Sequence, residues 1–463
     1  MNPFRKKRRS IWISVLFLLI AAIFLGGWFV YWEAKHQGLD SVGTLVGRLP
    51  VNETWGVHSR TLGHLADELL STNGEERIYL VLFQNNLELR PGGGFIGSFG
   101  ILKIRDGHVT EFTVHDTGIF DGRIPNTVQP PYPMRETLDI DSWKLRDSNW
   151  SPDFPTNAKK AVEFYKMGGG EEAFDGVVGI TADVLSSVLS VTGPVSVPGF
   201  PGEYDAENGV FDLEYQVEQA YIEQDIPFSE RKSVLGILGS EILKRVRNLP
   251  PRDLLRLAGV VLEDLKRKDI QLYFIDETLG REAAASEWDG SFDNAFAGDF
   301  LMIVDANLDA WKTDSVMERS FRYEVDFSSD IPHARLMVAY RHAGFEKNFM
   351  VKDYQSVVRV YVPDGSWFRD ISGGATEPVY GEFMGRKYVG TLVQIPLGET
   401  REIVFEYDLP EDLEREYYDL KIMRQPGTKD IPTSLAVISP NGSREERDII
   451  LDEDFILGDY SKE

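Results

Sequence analysis

The chain has no cysteine, so no disulfide can staple it in any compartment and its stability must come from packed cores. Positive charge is scarce: 49 Lys and Arg stand against 74 Asp and Glu, a formal net charge of −25. Setting aside the basic cluster Arg5-Lys6-Lys7-Arg8-Arg9 leaves about −30 for the remainder, which argues against nucleic acid or anionic lipid as its partner and suits divalent cations better. The glycine-rich turn at Gly92-Gly93-Gly94 is not followed by Gly-Lys-Ser/Thr, which excludes a Walker loop. No internal repeat stands out, and the acidic tail around 452–454 is the only biased segment. With 463 residues and 42% hydrophobic content, two or three domains are expected.

Charge is also missing from 11–32, about the 20 residues a helix needs to cross a bilayer. The basic flank at 1–10 orients the amino terminus towards the cytoplasm. A cleaved signal peptide has a shorter apolar centre and a small-x-small site. Here Gly26-Gly27 leads instead into Trp28-Phe29-Val30-Tyr31-Trp32, an aromatic belt. The expectation is a single-pass protein of the cell membrane whose later domains lie outside the cytoplasm. Residues 33–75 read as a stalk with a short amphipathic helix, Leu62, Leu65, Leu69 and Leu70 falling on one side.

Two periodicities divide the rest. Over 76–315, apolar runs at 78–83, 101–104, 109–114, 175–180 and 270–275 alternate with helical patterns at 156–166, 181–190, 230–247 and 251–267. That mixture predicts an α/β domain on one central sheet. Over 316–463 the period becomes two, with short strands at 320–327, 334–340, 356–362, 388–395, 402–407, 418–423 and 434–438 separated by Gly, Pro and Asp. This predicts an all-β, immunoglobulin-like sandwich. The proline-rich stretch 121–155 is a long irregular excursion, and such loops are usually functional or disordered.

The chemistry concentrates behind the first strand, in Phe83-Gln-Asn-Asn-Leu-Glu-Leu-Arg-Pro-Gly-Gly-Gly-Phe-Ile-Gly-Ser-Phe-Gly100. Asn85, Asn86, Glu88 and Arg90 leave the strand at its carboxyl end, where α/β folds tend to bind ligands. Gly92, Gly93 and Gly94 permit close backbone approach. The alternative is a glycine-rich hairpin with Arg90 in a structural salt bridge. A second acidic and basic loop, Val114-His115-Asp116-Thr117-Gly118-Ile119-Phe120-Asp121-Gly122-Arg123, follows the strand at 109–114. Asp116 and Asp121 are candidate magnesium ligands or Asx-turn formers, and His115 is a candidate general base or a structural hydrogen-bonder. Asp147, Asn149 and Asp153 suggest oxygen-ligand spacing, with turn capping the simpler role. Asp305-Ala306-Asn307, after the apolar run 300–304, is a candidate strand-end site, with the join between the domains the simpler reading.

The run Gln84 to Ser98 resembles the signature of a bacterial membrane-anchored family catalogued only as a domain of unknown function, DUF4012. Arg146 to Pro155, Phe174 to Ile180 and Asp299 to Asn307 are similar to further segments of it. The family brings no assigned reaction. More weakly, the order of elements resembles the LytR-CpsA-Psr proteins, which transfer glycopolymers from a polyprenyl-pyrophosphate carrier to the cell wall. That resemblance implies that Arg90, His115-Asp116-Thr117 and the helix opened by Phe228-Ser229-Glu230-Arg231 surround a pyrophosphate and Mg²⁺. Here His115 stands where the family has an arginine, and the helix's paired arginines shrink to Arg231 with Lys232 beside it.

A pyrophosphate site needs bidentate arginines and a magnesium ion held by carboxylates. Arg90, Arg231, Asp116 and His115 are the expected catalytic set, with Asp116 and Asp121 on the metal. Asn85, Asn86, Glu88, Gly92, Gly93, Gly94 and Arg123 are the expected ligand contacts. The expected function is binding or transfer of polyprenyl-phosphate-linked glycopolymer at the cell envelope. The rival is a non-catalytic envelope scaffold or adhesion protein that binds its partner through the sandwich.

Overall fold

The computed structural model describes residues 73–458 apart from Glu416, together with His58, Thr61, His64 and Leu65. The expected basic tail, membrane helix 11–32, stalk and most of the 61–70 helix lie outside the described residues. Among the described residues no helix is long and apolar enough to cross a membrane. The fold is mixed α/β and divides into two compact units. Among the described residues, the first takes those up to Gln84, then Ile96–Pro125 and Ala158–Gly290; the second takes Asn85–Phe95, Asn126–Asn157 and those from Ser291 on.

The first unit is built on a five-stranded sheet. Strands β1 (Glu76–Asn85), β2 (Phe95–Arg105), β3 (His108–Asp116) and β4 (Gly176–Thr181) precede a two-stranded ribbon, β5 (Val195–Ser196) with β6 (Glu203–Tyr204), and then β7 (Ile270–Phe274). The sheet order is β3-β2-β1-β4-β7. β1 and β4 are parallel, while β2 with β3 and β4 with β7 are antiparallel. Every residue of β4 is buried, as expected of a strand inside a sheet covered on both faces. The longer helices are α1 (Phe154–Met167), α2 (Asp183–Thr192), α3 (Ser233–Arg247), α4 (Pro251–Lys266) and α5 (Glu277–Ala285).

Their ends follow local rules. Pro251 opens α4 where its missing N–H costs nothing. Lys244, Arg245 and Arg247 sit in the last turn of α3, against the negative end of its dipole. The Asp276 carboxylate accepts from the N–H groups of Thr278 and Leu279 and caps α5. Val184, Val188, Leu238, Ile242, Leu257 and Val261 turn inward to one core with Tyr79, Val81, Val178 and Leu272 of the sheet. A π-helical turn, Gln216–Ala220, lies between the short helices Gly209–Tyr215 and Tyr221–Glu223.

The second unit holds two six-stranded sheets. Its strands are β8 (Asp299–Asn307), β9 (Met317–Asp326), β10 (His333–His342), β11 (Tyr354–Val362), β12 (Trp367–Ser372), β13 (Val379–Phe383), β14 (Arg386–Ile395), β15 (Thr400–Asp408), β16 (Leu420–Met423), β17 (Ile431–Ile438), β18 (Arg444–Leu451) and β19 (Phe455–Leu457). One sheet runs β13-β14-β11-β8-β16-β19 and the other β12-β15-β10-β9-β17-β18. Leu301, Ile303, Val358, Val360 and Ile422 of the first meet Tyr323, Leu336, Val338 and Phe405 of the second in one core. β10 alternates buried and half-buried residues, the period expected of a strand with one face on that core. β8 is buried along its whole length, because its outward residues are covered too. Phe300, Met302 and Val304 pack with Phe292, Tyr361 and Met423, and Ala306 packs with Met134, Trp150, Leu308 and Val357.

Two expectations shift. The boundary expected at 315/316 lies inside the second unit, which begins at Ser291 on this side of the chain and uses β8 as an interior strand. The proline-rich excursion is not a free loop, since residues 126–157 belong to the same unit and Met134 and Trp150 are buried in it.

Candidate functional site

The glycine-rich segment is a buried loop in the second unit, closed by Gly93 N–H donating to Arg90 O (2.9 Å) and Phe95 N–H donating to Glu88 O (2.9 Å). Arg90 is 2% exposed. Its Nε donates to Asp147 (3.1 Å), one terminal nitrogen donates to Glu88 (3.0 Å), and the other donates to the Asn307 carbonyl. Burial works against the guanidinium's charge, but Glu88 and Asp147 outweigh it and hold its pKa above the ordinary value. Burial also pushes the Glu88 carboxyl above its usual range, although Arg90 pulls the other way. Arg90 thus makes the ion pairs of the structural alternative.

The glycines answer to packing. A Cβ on Gly94 would stand 2.4 Å from the Asn85 carbonyl carbon, and one on Gly92 would stand 2.6 Å from Asn157 Nδ2. Asn85 Oδ1 accepts from Leu87 N–H (3.1 Å), Asn86 Nδ2 donates to Gly427 O (3.1 Å), and Asn149 Nδ2 donates to Gly94 O (2.6 Å). Leu89 N–H donates to Asp314, Gln425 donates to Arg90 O, and Arg319 bridges Asp305 and Asp314. The loop, the 147–149 segment and the end of β8 therefore form one hydrogen-bonded structure. Asp153 serves as a cap: its carboxylate accepts from the Thr156 and Phe292 N–H groups.

A different arrangement occupies the first unit. Asp116 ends β3 and caps the helix Thr117–Asp121, its Oδ1 accepting from Ile119 N–H at 3.0 Å. Its Oδ2 lies 2.6 Å from Lys232 Nζ and 4.0 Å from an Arg231 terminal nitrogen. Burial opposes the Asp116 charge, yet the Lys232 ammonium overrides it and keeps the carboxyl below the usual carboxylate range. Lys232 also donates to Gly97 O at 2.7 Å. Both cations stand immediately before the first turn of α3, and the Arg231 guanidinium lies over the Phe228 ring at 3.7 Å.

The Arg231 side chain is 14% exposed, and its Nε and Nη1 are buried without a hydrogen-bond partner. A buried donor left unmatched costs free energy, so this guanidinium carries an unsatisfied demand for an acceptor. Phe228, under the guanidinium, is 62% exposed, and Ile119, in the helix that Asp116 caps, is 59% exposed. Arg231 and Asp116 are the two expected site residues that meet here. The exposure of Phe228 and Ile222 is not legible in the sequence, because they fall in short helical turns that have no clear periodicity.

The remaining expected residues act elsewhere in the first unit. The His115 ring stacks on Phe99 (5.0 Å) and its Nε2 is 3.2 Å from the Thr113 hydroxyl; burial lowers its pKa. Arg123 lies over the Phe120 ring at 5.6 Å. Asp121 is 3% exposed within its short helix. Among the described residues no group of three or more His, Asp or Glu side chains converges as a metal-binding set.

The fold and this site define a two-unit protein, α/β followed by a β-sandwich, with a half-buried cationic pair, Arg231 and Lys232, beside the exposed Phe228. Residues 74–217 match the model of a family described as a protein of unknown function, DUF4012. No curated protein matches. Among solved structures, a protein described as nutrient-binding from Legionella pneumophila is similar at 11% identity and TM-score 0.22, over 31% of this chain and 55% of that one. The Lin1025 protein of Listeria innocua is similar at 12% identity and TM-score 0.26, over 47% and 78% of the two chains. The gbs0355 protein of Streptococcus agalactiae is similar at 11% identity and TM-score 0.29, over 47% and 74%.

Proposed function

We propose that the protein is a membrane-anchored, extracytoplasmic envelope protein whose first unit binds a polyprenyl-phosphate-linked glycan at Arg231. The observation that carries this reading is a largely buried guanidinium with two unmatched donors, lying over the exposed Phe228 ring. That pairing suits an amphiphile with an anionic group and an apolar tail. The anchor expected from 11–32 would hold such a site near the membrane, and the LytR-CpsA-Psr-like order of elements is consistent with the ligand class. The immunoglobulin-like character of the sandwich belongs to the same proposal.

Binding is better supported than transfer. Arg90 directs its guanidinium to Glu88, Asp147 and the Asn307 carbonyl. Asp116 uses its two oxygens on Lys232 and the Ile119 N–H. Magnesium normally takes one or two carboxylates together with substrate phosphates, and the engagement of Asp116 with Lys232 does not fit that role. The second reading, a non-catalytic envelope scaffold that meets its partner through the sandwich, draws on the same closed Arg90 network.

The test is titration of the protein with farnesyl phosphate, a short prenyl phosphate. Arg231→Ala should weaken binding by roughly 1.5–3 kcal/mol, the worth of a hydrogen bond to a charged group. Arg231→Lys should restore only part, since an ammonium lacks the planar fork. Absence of saturable binding by the unsubstituted protein would leave the scaffold reading.

A further inference from the structure

We propose that the helical segment 209–223 of the first unit is a docking face for a cationic amphipathic helix of another protein. The face is distinct from Arg231 and does not rest on the ligand reading above. The segment comprises the helix Gly209–Tyr215, the π turn Gln216–Ala220 and the helix Tyr221–Glu223. Its backbone stays right-handed helical at both joints, with Gln216 at φ −61°, ψ −42° and Tyr221 at φ −59°, ψ −30°. Gln216 and Gln224 exchange amide hydrogen bonds of 2.9 and 3.0 Å across the π turn, a kind of turn that recurs at functional sites. One side of the segment is spent on the core: Gly209, Gln216, Val217 and Ala220 are buried, and a Cβ on Gly209 would stand 2.9 Å from Leu189 Cδ1 of α2. On the solvent side Phe211 is 52% exposed, Tyr215 39% and Ile222 61%. Phe211 and Tyr215, four residues apart, are neighbours on one helix face.

The charge around this stripe has one sign. From Glu203 to Glu230 the sequence carries nine Asp and Glu and no Lys, Arg or His. The elements that the first helix packs on, α2 and β6, bring only acidic charge, Asp183 and Glu203. Counting every cation of α3 and of the two residues before it adds Arg231, Lys232, Lys244, Arg245 and Arg247. Lys232 is engaged by Asp116 and Lys244 by Glu241, both at 2.6 Å and both outside the nine, so the acidic excess stands. Burial, and then Asp205, hold the Asp212 carboxyl above its usual range. An anionic lipid surface is repelled by such a face, as is a second copy of this chain with its net charge of −25. A helix that buries an apolar stripe on Phe211, Tyr215 and Ile222 and flanks it with Lys and Arg relieves the repulsion and is steered to the site.

The experiment holds the full-length chain in phosphatidylcholine nanodiscs, with empty discs as the blank. A labelled Leu/Lys amphipathic helix about five turns long is titrated by fluorescence anisotropy against a scrambled peptide of the same composition that has no apolar face. The amphipathic peptide should bind saturably and at least roughly tenfold more tightly than the scrambled one, since one buried large apolar side chain is worth that ratio. Phe211→Ser with Ile222→Ser should weaken it by a similar factor. Glu207→Gln, Glu223→Gln and Asp225→Asn together, all at exposed positions, should weaken it at low salt and flatten its salt dependence. Asp225 has φ +54°, a conformation that asparagine also accepts. Melting curves close to the parent's confirm that each variant is folded, and either variant alone suffices for the test. No binding of the amphipathic peptide, equal binding of the two peptides, or binding indifferent to a folded variant overturns the proposal. Neither variant touches Phe228 or Arg231, so that outcome leaves the prenyl phosphate reading standing.

Discussion

At the scale of single residues, the two arginines picked out of the sequence have opposite environments. Arg90 is enclosed by Glu88, Asp147 and the Asn307 carbonyl, whereas Arg231 keeps two buried donors unmatched. Removing one partner of a buried ion pair leaves an uncompensated charge, a loss of about 3–5 kcal/mol. Arg90→Met should therefore lower the unfolding free energy in urea by that order. Adding Glu88→Gln and Asp147→Asn should recover much of it, because the stranded carboxylates are then neutral. An Arg90→Met protein as stable as the parent would show that the network is not holding the loop. The importance of Arg90 was legible in the sequence because polar residues rarely crowd a glycine-rich turn behind an apolar strand. Its role was not, since Asp147 and Asn307 lie 57 and 217 positions away in the chain.

At the scale of elements, helices were read well wherever an apolar stripe ran for three turns, as in α3 and α4. The short, exposed edge strands β12, β13, β18 and β19 were missed. β18 is Arg-Glu-Glu-Arg-Asp-Ile-Ile-Leu, with only its final residue buried, so no alternation betrays it; charge on an edge strand instead guards against pairing with other chains. Helix packing also hides one carboxyl. Asp264 of α4 is 3% exposed and accepts from the Ser187 hydroxyl of α2 at 2.7 Å, while its other oxygen has no hydrogen-bond partner.

Burial, with smaller opposing and reinforcing effects from Ser187, Asp269, Arg267 and Asp183, pushes the pKa of Asp264 up to about 8. A carboxyl whose folded pKa is raised contributes its stability below the unfolded value near 4 and loses it as pH climbs towards 8. The protein should accordingly melt lower at pH 9 than at pH 5, and Asp264→Asn should remove part of that difference and be the more stable form at pH 9. Parallel melting curves for parent and variant across this range would show that Asp264 ionises normally.

At the scale of the whole molecule, the sequence revealed two kinds of periodicity but not how the chain distributes itself between two units. Periodicity reports which face of an element is buried, and it is silent about which sheet an isolated buried strand joins. β8 illustrates this: a run of nine buried residues carries no alternation, so nothing local assigns it to the sandwich. It pairs with β11 on one side and β16 on the other, in the interior of its sheet. A fragment of 316–463 therefore lacks a central strand and leaves β16 and β19 without a neighbour on that side. It should show no cooperative thermal transition. A fragment of 291–463 retains all twelve strands and should melt cooperatively with a β-rich spectrum, although below the intact protein. Without the 85–95 segment, Asp314 loses the Leu89 N–H and Gln425 loses the Arg90 carbonyl, and without the 126–157 segment Met134 and Trp150 no longer cover Ala306 and Val357. Circular dichroism on the two fragments decides the matter. A cooperative transition in 316–463 would mean that β8 is dispensable to the sandwich and that its burial there is incidental to stability.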